Sequence, residues 1–184
     1  SLRLQEVWEI RIRLELENRT RDLAMFNLAL DSKLRACDLM SLRVADIAQG
    51  VRVQPRARIV QQKTGRPVRF EITEPTRQSV EQWIAAAALR PPDFLWPSRI
   101  IKASHLSRRQ YARTVDRWVS AIGLDPCQYG THSLRRAKAS LIYRKTKNLR
   151  AVQLLLGHTS LESTVRYLGI EEDDALQLAE QIEI

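Results

Sequence analysis

The sequence predicts a mainly α fold that carries one small three-stranded antiparallel sheet. Two rhythms carry that expectation. Apolar residues recur at three- and four-residue intervals through most of the chain, the period of a half-buried helix. Between residues 51 and 72 they alternate instead with polar or basic residues, the period of a strand. A hydrophobic content of 44% over 184 residues supports one substantial core. No internal repeat or low-complexity tract is present.

The elements follow in order. Residues 4–16 (LQEVWEIRIRLEL) place Leu4, Val7, Trp8 and Ile12 at helical spacing. NRTRD breaks that pattern, 22–30 (DLAMFNLAL) reads as a more buried helix, and a short third covers roughly 35–42. VRV, RARIV and PVRFEI are the three strands, with KTGRP as the turn between the last two. TEPTRQSVEQWIAAAAL is a helix with Thr73 or Thr76 near its start, and RPPDFLWPSR is a proline-bounded connection. The helix at 107–122 sets an apolar stripe (Ala112, Val115, Val119, Ile122) beside an arginine row (Arg109, Arg113, Arg117). Helices at 132–143 and about 149–156 come next, the second closed by Gly157 as a left-handed cap. TSLE at 159–162 reads as a capping box for a helix with Leu161, Val165 and Leu168 as its core stripe. Tyr167 lies about a third of a turn off that stripe. A final acidic helix follows Gly169, with Ala175, Leu176, Leu178 and Ile182 apolar.

Charge narrows the function. Thirty Lys and Arg against twenty-one Asp and Glu give +9, unevenly placed. Residues 171–184 hold six acids and no base, so residues 1–170 carry 30 bases against 15 acids, or +15. A body that basic suits a polyanion such as nucleic acid, and by charge alone it also suits a simply basic surface. The arginine row has the same two readings. Three guanidiniums four residues apart repel one another unless an anion lies alongside. Cys37 and Cys127 stand apart with no partner motif, so they read as small buried hydrophobes and support neither a disulfide framework nor a zinc site. No clustered acids or H-x₃-H pair suggest a metal nuclease, and no G-x-S-x-G elbow suggests a serine hydrolase. No cofactor or metal is expected. No apolar run reaches membrane-span length and no signal pattern opens the chain, so a cytoplasmic, nucleoid-associated protein is expected.

Several short motifs then come together. His132 and Arg135 in THSLRRAKAS stand at i, i+3 on one helix face, turned away from Leu134, Ala137 and Leu141. Read alone, that pair fits an ordinary exposed face. Together with Gly157-His158 and Tyr167, however, it closely resembles the C-terminal signature of the tyrosine recombinases, the phage integrase family. DSKLRACDLMSLRVADI (31–47) resembles that family's first arginine box, with Arg35, then Asp38 and Leu39. IVQQKTGRPVRFEI (59–72) resembles its β-hairpin, with Lys63 just before the turn. The resemblance runs from about residue 20 to 169, in the family's order.

That resemblance implies a site-specific DNA recombinase working through a 3′-phosphotyrosine, with Arg35, Lys63, His132, Arg135, His158 and Tyr167 as its catalytic set. Arg35 and Arg135 would hold the phosphate, and His158 would add a donor. Lys63 would protonate the leaving 5′-oxygen, and His132 would accept the proton of Tyr167. Arg66, Arg109, Arg113 and Arg117 are the candidate DNA contacts. The partners implied are double-stranded DNA with a specific site and further copies of the chain, as a tetramer on DNA. The whole of 1–184 reads as one catalytic domain, a basic body (1–170) with an acidic helix (171–184) that docks on a neighbouring copy during synapsis and folds back on its own body in the free protein; the alternative is a final helix that stays intramolecular throughout. The additional N-terminal DNA-clamping domain usual in the family has no counterpart in this sequence. Two other functions fit parts of the pattern: a type IB topoisomerase-like nicking-closing enzyme, and a non-catalytic DNA-binding regulator. The regulator would not need Lys63, His158 and Tyr167 in register.

Overall fold

A computed structural model describes residues 1–100 and 104–182. Ten helices and four short strands are present among the described residues. The centre of the main core is α2 (Thr20–Ser32), in which every residue from Ala24 to Ser32 is buried. It packs against α5 (Glu74–Ala86) and α7 (Thr131–Thr146) on one side and α1 (Leu4–Leu16) on another. Aromatic residues fix the surrounding layers. Phe26 meets Trp118 of α6 (Arg108–Ala121) edge to face at 5.5 Å. Trp96 is fully buried, and its indole N–H donates to the Leu39 carbonyl of α3 (Ala36–Met40) at 3.0 Å. A large ring with its one donor satisfied is well suited to such a position.

The sheet differs from expectation. Instead of three paired strands there are two separate hairpins: β1 (Ala48–Gln49) with β2 (Arg52–Val53), and β3 (Arg56–Val60) with β4 (Pro67–Glu71). Gly50, at φ 61°, opens a two-residue turn that folds β2 back on the segment after α4 (Val44–Ile47). Pro55 then separates β2 from β3, and its carbonyl accepts the Ile72 N–H. The larger hairpin buries Ala57, Val68 and Phe70, while Arg58 and Arg69 face each other on its exposed side.

Helix faces also depart from their predicted stripes. α1 buries Val7, Ile10 and Leu14, whereas Leu4, Trp8 and Ile12 are about half exposed. In α6 the inward face is Tyr111, Thr114, Val115, Trp118 and Val119, because two aromatic rings displace the smaller Ala112 from the core. The helix α9 (Leu161–Leu168) is capped by the Ser160 side chain, which accepts from Ser163 N–H, rather than by Thr159. Its buried residue is Thr164, and Leu161 is exposed. The two cysteines are not core residues: Cys37 is half-buried and Cys127 exposed.

A second, smaller cluster sits beyond α7. Ala139 joins Val152 and Leu156 of α8 (Leu149–Leu156), with Tyr143, Tyr167 and Leu168 packed on its edge. The acidic helix α10 (Glu172–Glu180) leaves this layer with no buried residue, and Leu176 and Ile182 are exposed. Residues 183–184 of the acidic segment lie outside the described residues.

Candidate active site

All six predicted catalytic residues line one open cavity of about 890 Å³ between the main core and the small C-terminal cluster. Each is delivered by a different local device. Arg35 stands at the start of α3, directly after the left-handed turn at Lys33 (φ 54°) that ends α2. Three residues on, Asp38 is buried and accepts the Gln62 backbone N–H at 3.0 Å. The arginine box therefore also holds the hairpin that carries Lys63. Lys63 itself lies exposed in the β3–β4 turn.

Arg135 is not turned to solvent as the helix phase predicts. It is 5% exposed, with Nε donating to the Lys33 carbonyl at 2.7 Å and Nη2 to the Leu156 carbonyl at 2.9 Å. Burial draws its pKa down. Helix wheels locate faces but not neighbours: α2 and α8 close over this side of α7. His132, one turn earlier, remains exposed at the cavity mouth.

Below Arg135 lies a charged cluster. The fully buried Lys33 side chain pairs with Glu71 of β4 at 2.7 Å, and Lys138 of α7 bridges Glu71 (2.7 Å) and Asp31 (2.5 Å). Two lysines and two carboxylates thus join α2, α7 and the hairpin, the three elements that carry or anchor Arg135 and Lys63. A buried group of this kind is sustained only when every member has a partner.

Gly157 has two structural reasons to be glycine. Its φ is +67°, and a Cβ there would come within 2.8 Å of the Gln61 side-chain amide. Gln61 in turn donates to the Leu156 carbonyl and accepts from Thr64, so the start of the β3–β4 turn and the end of α8 meet at this point. His158 follows. Its Nδ1 is 3.0 Å from the Thr164 hydroxyl, which leaves Nε2 for the cavity. Burial, with Arg135 and Arg35 adding to it, lowers the His158 pKa to about 4. The ring is therefore neutral near pH 7.

Tyr167 packs inward with Leu168, edge to face with His158 at 5.3 Å. Its ring lies 5.4 Å from the Arg135 guanidinium and 4.9 Å from that of Arg136. Burial raises its pKa, while the charges of Arg135, Arg136 and Arg35 pull it down. Its hydroxyl makes no hydrogen bond of good geometry among the described residues, although the Arg136 side chain lies close enough to pull its pKa down as a donor.

The candidate DNA contacts separate. Arg109 lines a groove that adjoins the cavity and shares Arg35, Lys63, His132 and Arg135 with it. Arg66 is exposed on the hairpin turn, and Arg113 is exposed on α6. Arg117 lies elsewhere: it borders a pocket with Arg13 and Arg21 on the α1 side and donates to Thr114. The helix carries its last arginine past the cleft, so Arg109 and Arg117 line different pockets. Sequence reasoning gave no role to Arg136, Gln61, Thr164 or the carboxylate of Asp38. Adjacency to Arg135 and the i+3 spacing from Arg35 were the available signals for two of them. Nothing in the sequence marks Thr164.

A mainly helical body with Arg, Lys, His-x-x-Arg, Gly-His and Tyr brought to one cleft is the arrangement of a tyrosine-recombinase catalytic domain. The profile of the phage integrase family matches residues 2–173, and the chain belongs to that family. It is 28% identical to the probable integrase/recombinase YoeC of Bacillus subtilis over 170 residues, covering 92% of this chain and 88% of that protein. It is 30% identical to tyrosine recombinase XerD of Bradyrhizobium diazoefficiens, over 84% of this chain but 56% of that protein. The chain thus spans little more than half of its XerD relative. Among solved structures, the XerA recombinase superposes with a TM-score of 0.78 at 17% identity, covering 98% of this chain and 64% of that one. The XerH recombinase bound to its difH substrate gives 0.76 at 21%, covering 97% and 53%. Among the described residues there is no cluster of three or more His, Cys, Asp or Glu suited to a metal, and no helix long and apolar enough to cross a membrane.

Proposed function

We propose that this protein is a site-specific DNA recombinase that cuts and rejoins DNA through a 3′-phosphotyrosine at Tyr167, without metal or ATP. One observation carries the reading: six side chains of the required chemistry, from separate parts of the chain, line a single cavity. Attack on a phosphodiester adds negative charge at phosphorus, and aimed cationic donors stabilise that charge. Arg35 and Arg135 supply planar forks that match phosphate and keep their charge. A neutral His158 that accepts from Thr164 at Nδ1 carries its proton on Nε2 and donates it to a non-bridging oxygen. Tyr167 attacks, passing its proton to His132, and Lys63 protonates the departing 5′-oxygen. The bond to tyrosine keeps the phosphodiester energy for religation to another strand.

The +15 body supports double-stranded DNA as partner, and the XerH structure was determined with its own difH DNA. Such a substrate puts the protein's work at the nucleoid. The exposed apolar positions of α10 support its docking on another copy within a tetramer on two duplexes. Deleting residues 172–184 is expected to leave dimers in place of tetrameric synapses on DNA, and normal tetramers would refute that docking. The central test is a nicked duplex carrying the protein's site, recovered from inverted repeats beside its gene. Wild type is expected to form a covalent complex on a denaturing gel, and Tyr167→Phe to bind the duplex equally well without forming one. A covalent complex with the Phe variant would refute the assignment.

A further inference from the structure

Arg135 and Arg136 are neighbours on α7 that differ in what they hold. Arg135 commits two donors to backbone carbonyls. Arg136 has no ion pair among the described residues, and its Nε is buried without any partner. It lines the same cavity, and its guanidinium is nearer the Tyr167 ring (4.9 Å) than that of Arg135 (5.4 Å). Three residues of the cavity wall carry a buried polar atom that is unsatisfied: Arg35 through Nη1, Arg136 through Nε and Tyr167 through its hydroxyl. Buried donors left unpaired are costly, and most find partners in folded proteins. Two guanidinium donors beside one attacking hydroxyl are the complement of an anion with several acceptor oxygens.

We infer that Arg136 is a further catalytic residue, which donates to the scissile phosphate beside Tyr167, together with Arg35 and Arg135. The inference rests on the reading of Tyr167 as nucleophile. In the cleavage step the phenol proton leaves to the base, the Tyr167 Oη–P bond forms and the P–O5′ bond breaks. The 5′-oxygen takes a proton from the general acid. Charge on the non-bridging oxygens grows as Oη–P forms, and a donor already lying along Tyr167 meets that charge where it arises. An interaction stronger in the transition state than in the ground state raises the rate. The Arg136 charge also lowers the pKa of Tyr167, against the effect of burial.

The test uses the full chain, saturating nicked duplex and single-turnover formation of the covalent complex. Arg136→Leu is expected to slow cleavage by about 10²-fold, the usual scale for one lost transition-state donor. Arg136→Lys, which keeps the charge, is expected to recover part of that loss. On a duplex whose scissile phosphate is replaced by a neutral methylphosphonate, the anionic charge is gone, and the Arg136→Leu deficit is expected to shrink at least about tenfold, because the charge it met is absent. Thermal melting of each variant checks that it is folded; if the Leu variant is not, the Lys variant carries the same comparison. An equal deficit on both substrates would reduce Arg136 to packing against Tyr167 and overturn the inference, as would no deficit on either. Failure of wild type to form a complex that depends on Tyr167 would instead overturn the nucleophile assignment itself.

Discussion

The two walls of the cleft are built differently. Arg35, Arg135 and the hairpin base belong to the main core, tied together by the Asp38–Gln62 contact and by the Lys33, Lys138, Asp31 and Glu71 cluster. His158 and Tyr167 stand on a thin layer over three buried residues, Ala139, Val152 and Leu156. Cations that must match a phosphate gain from a rigid support, since stabilisation of developing charge depends on donors fixed in advance. Tyr167 is held by ring packing against His158 and the Arg135 and Arg136 guanidiniums, without a hydrogen bond of good geometry from its hydroxyl among the described residues. The contrast separates a pre-set binding wall from a nucleophile wall of lower local stability.

The largest effect that tests this contrast lies in the rigid wall. Arg135→Ala is expected to slow cleavage by about 10²–10³-fold and to destabilise the fold by about 1–3 kcal/mol, because the Lys33 and Leu156 carbonyls lose their donor. Arg35→Ala is expected to cut the rate comparably with little stability change, since its Nη1 has no hydrogen-bond partner among the described residues. Single-turnover cleavage and denaturant melts measure both. Equal stability losses would mean that the two arginines are anchored alike.

A smaller effect probes the thin wall. His158 titrates near pH 4 in the folded chain against about 6.5 when unfolded. Its folded pKa is depressed, so the unfolded state takes up the proton first. Stability is therefore lost as pH falls from about 6.5 towards 4, and the His158 contribution is flat above that window. Comparing wild type with His158→Gln by melts across pH 4–8 isolates this one group from the carboxylates. Parallel curves would show that the ring is solvated and not confined beside the arginines.

The smallest expected effect concerns the groove beside the cleft. Arg109→Ala is expected to lower the slope of log K against log salt by about 0.9, the value of one phosphate contact. Arg117→Ala, in the pocket that Arg117 shares with Arg13 and Arg21, is expected to leave it unchanged. A change from Arg117 equal to that from Arg109 would restore the arginine row as one DNA surface.

The six candidate side chains that line the cavity were legible because each lies in a short motif whose spacing survives folding. Helix positions were legible for the same reason, since period and caps are local. What failed was non-local. Gly50 and Pro55 redirected β2 to β1 instead of β3, and Arg135 was buried by α2 and α8, which no helix wheel contains. The partly exposed face of α1 and the inward turn of Tyr167 depended likewise on which neighbour arrived. Arg136 was visible as a second arginine, but only the partners of Arg135 showed which of the two was free.

Peptide mapping of the trapped covalent complex tests the central claim most directly. Tyr129 also lines the cavity and Tyr143 packs on the same small cluster as Tyr167, so a gel alone does not identify the attacking oxygen. After digestion of protein and DNA, mass spectrometry is expected to find a 3′-phosphoryl nucleotide on the peptide containing Tyr167, with a free 5′-hydroxyl on the other DNA end. A nucleotide on Tyr129 or Tyr143, or a 5′-phosphoryl linkage, would contradict the assignment of Tyr167 as nucleophile.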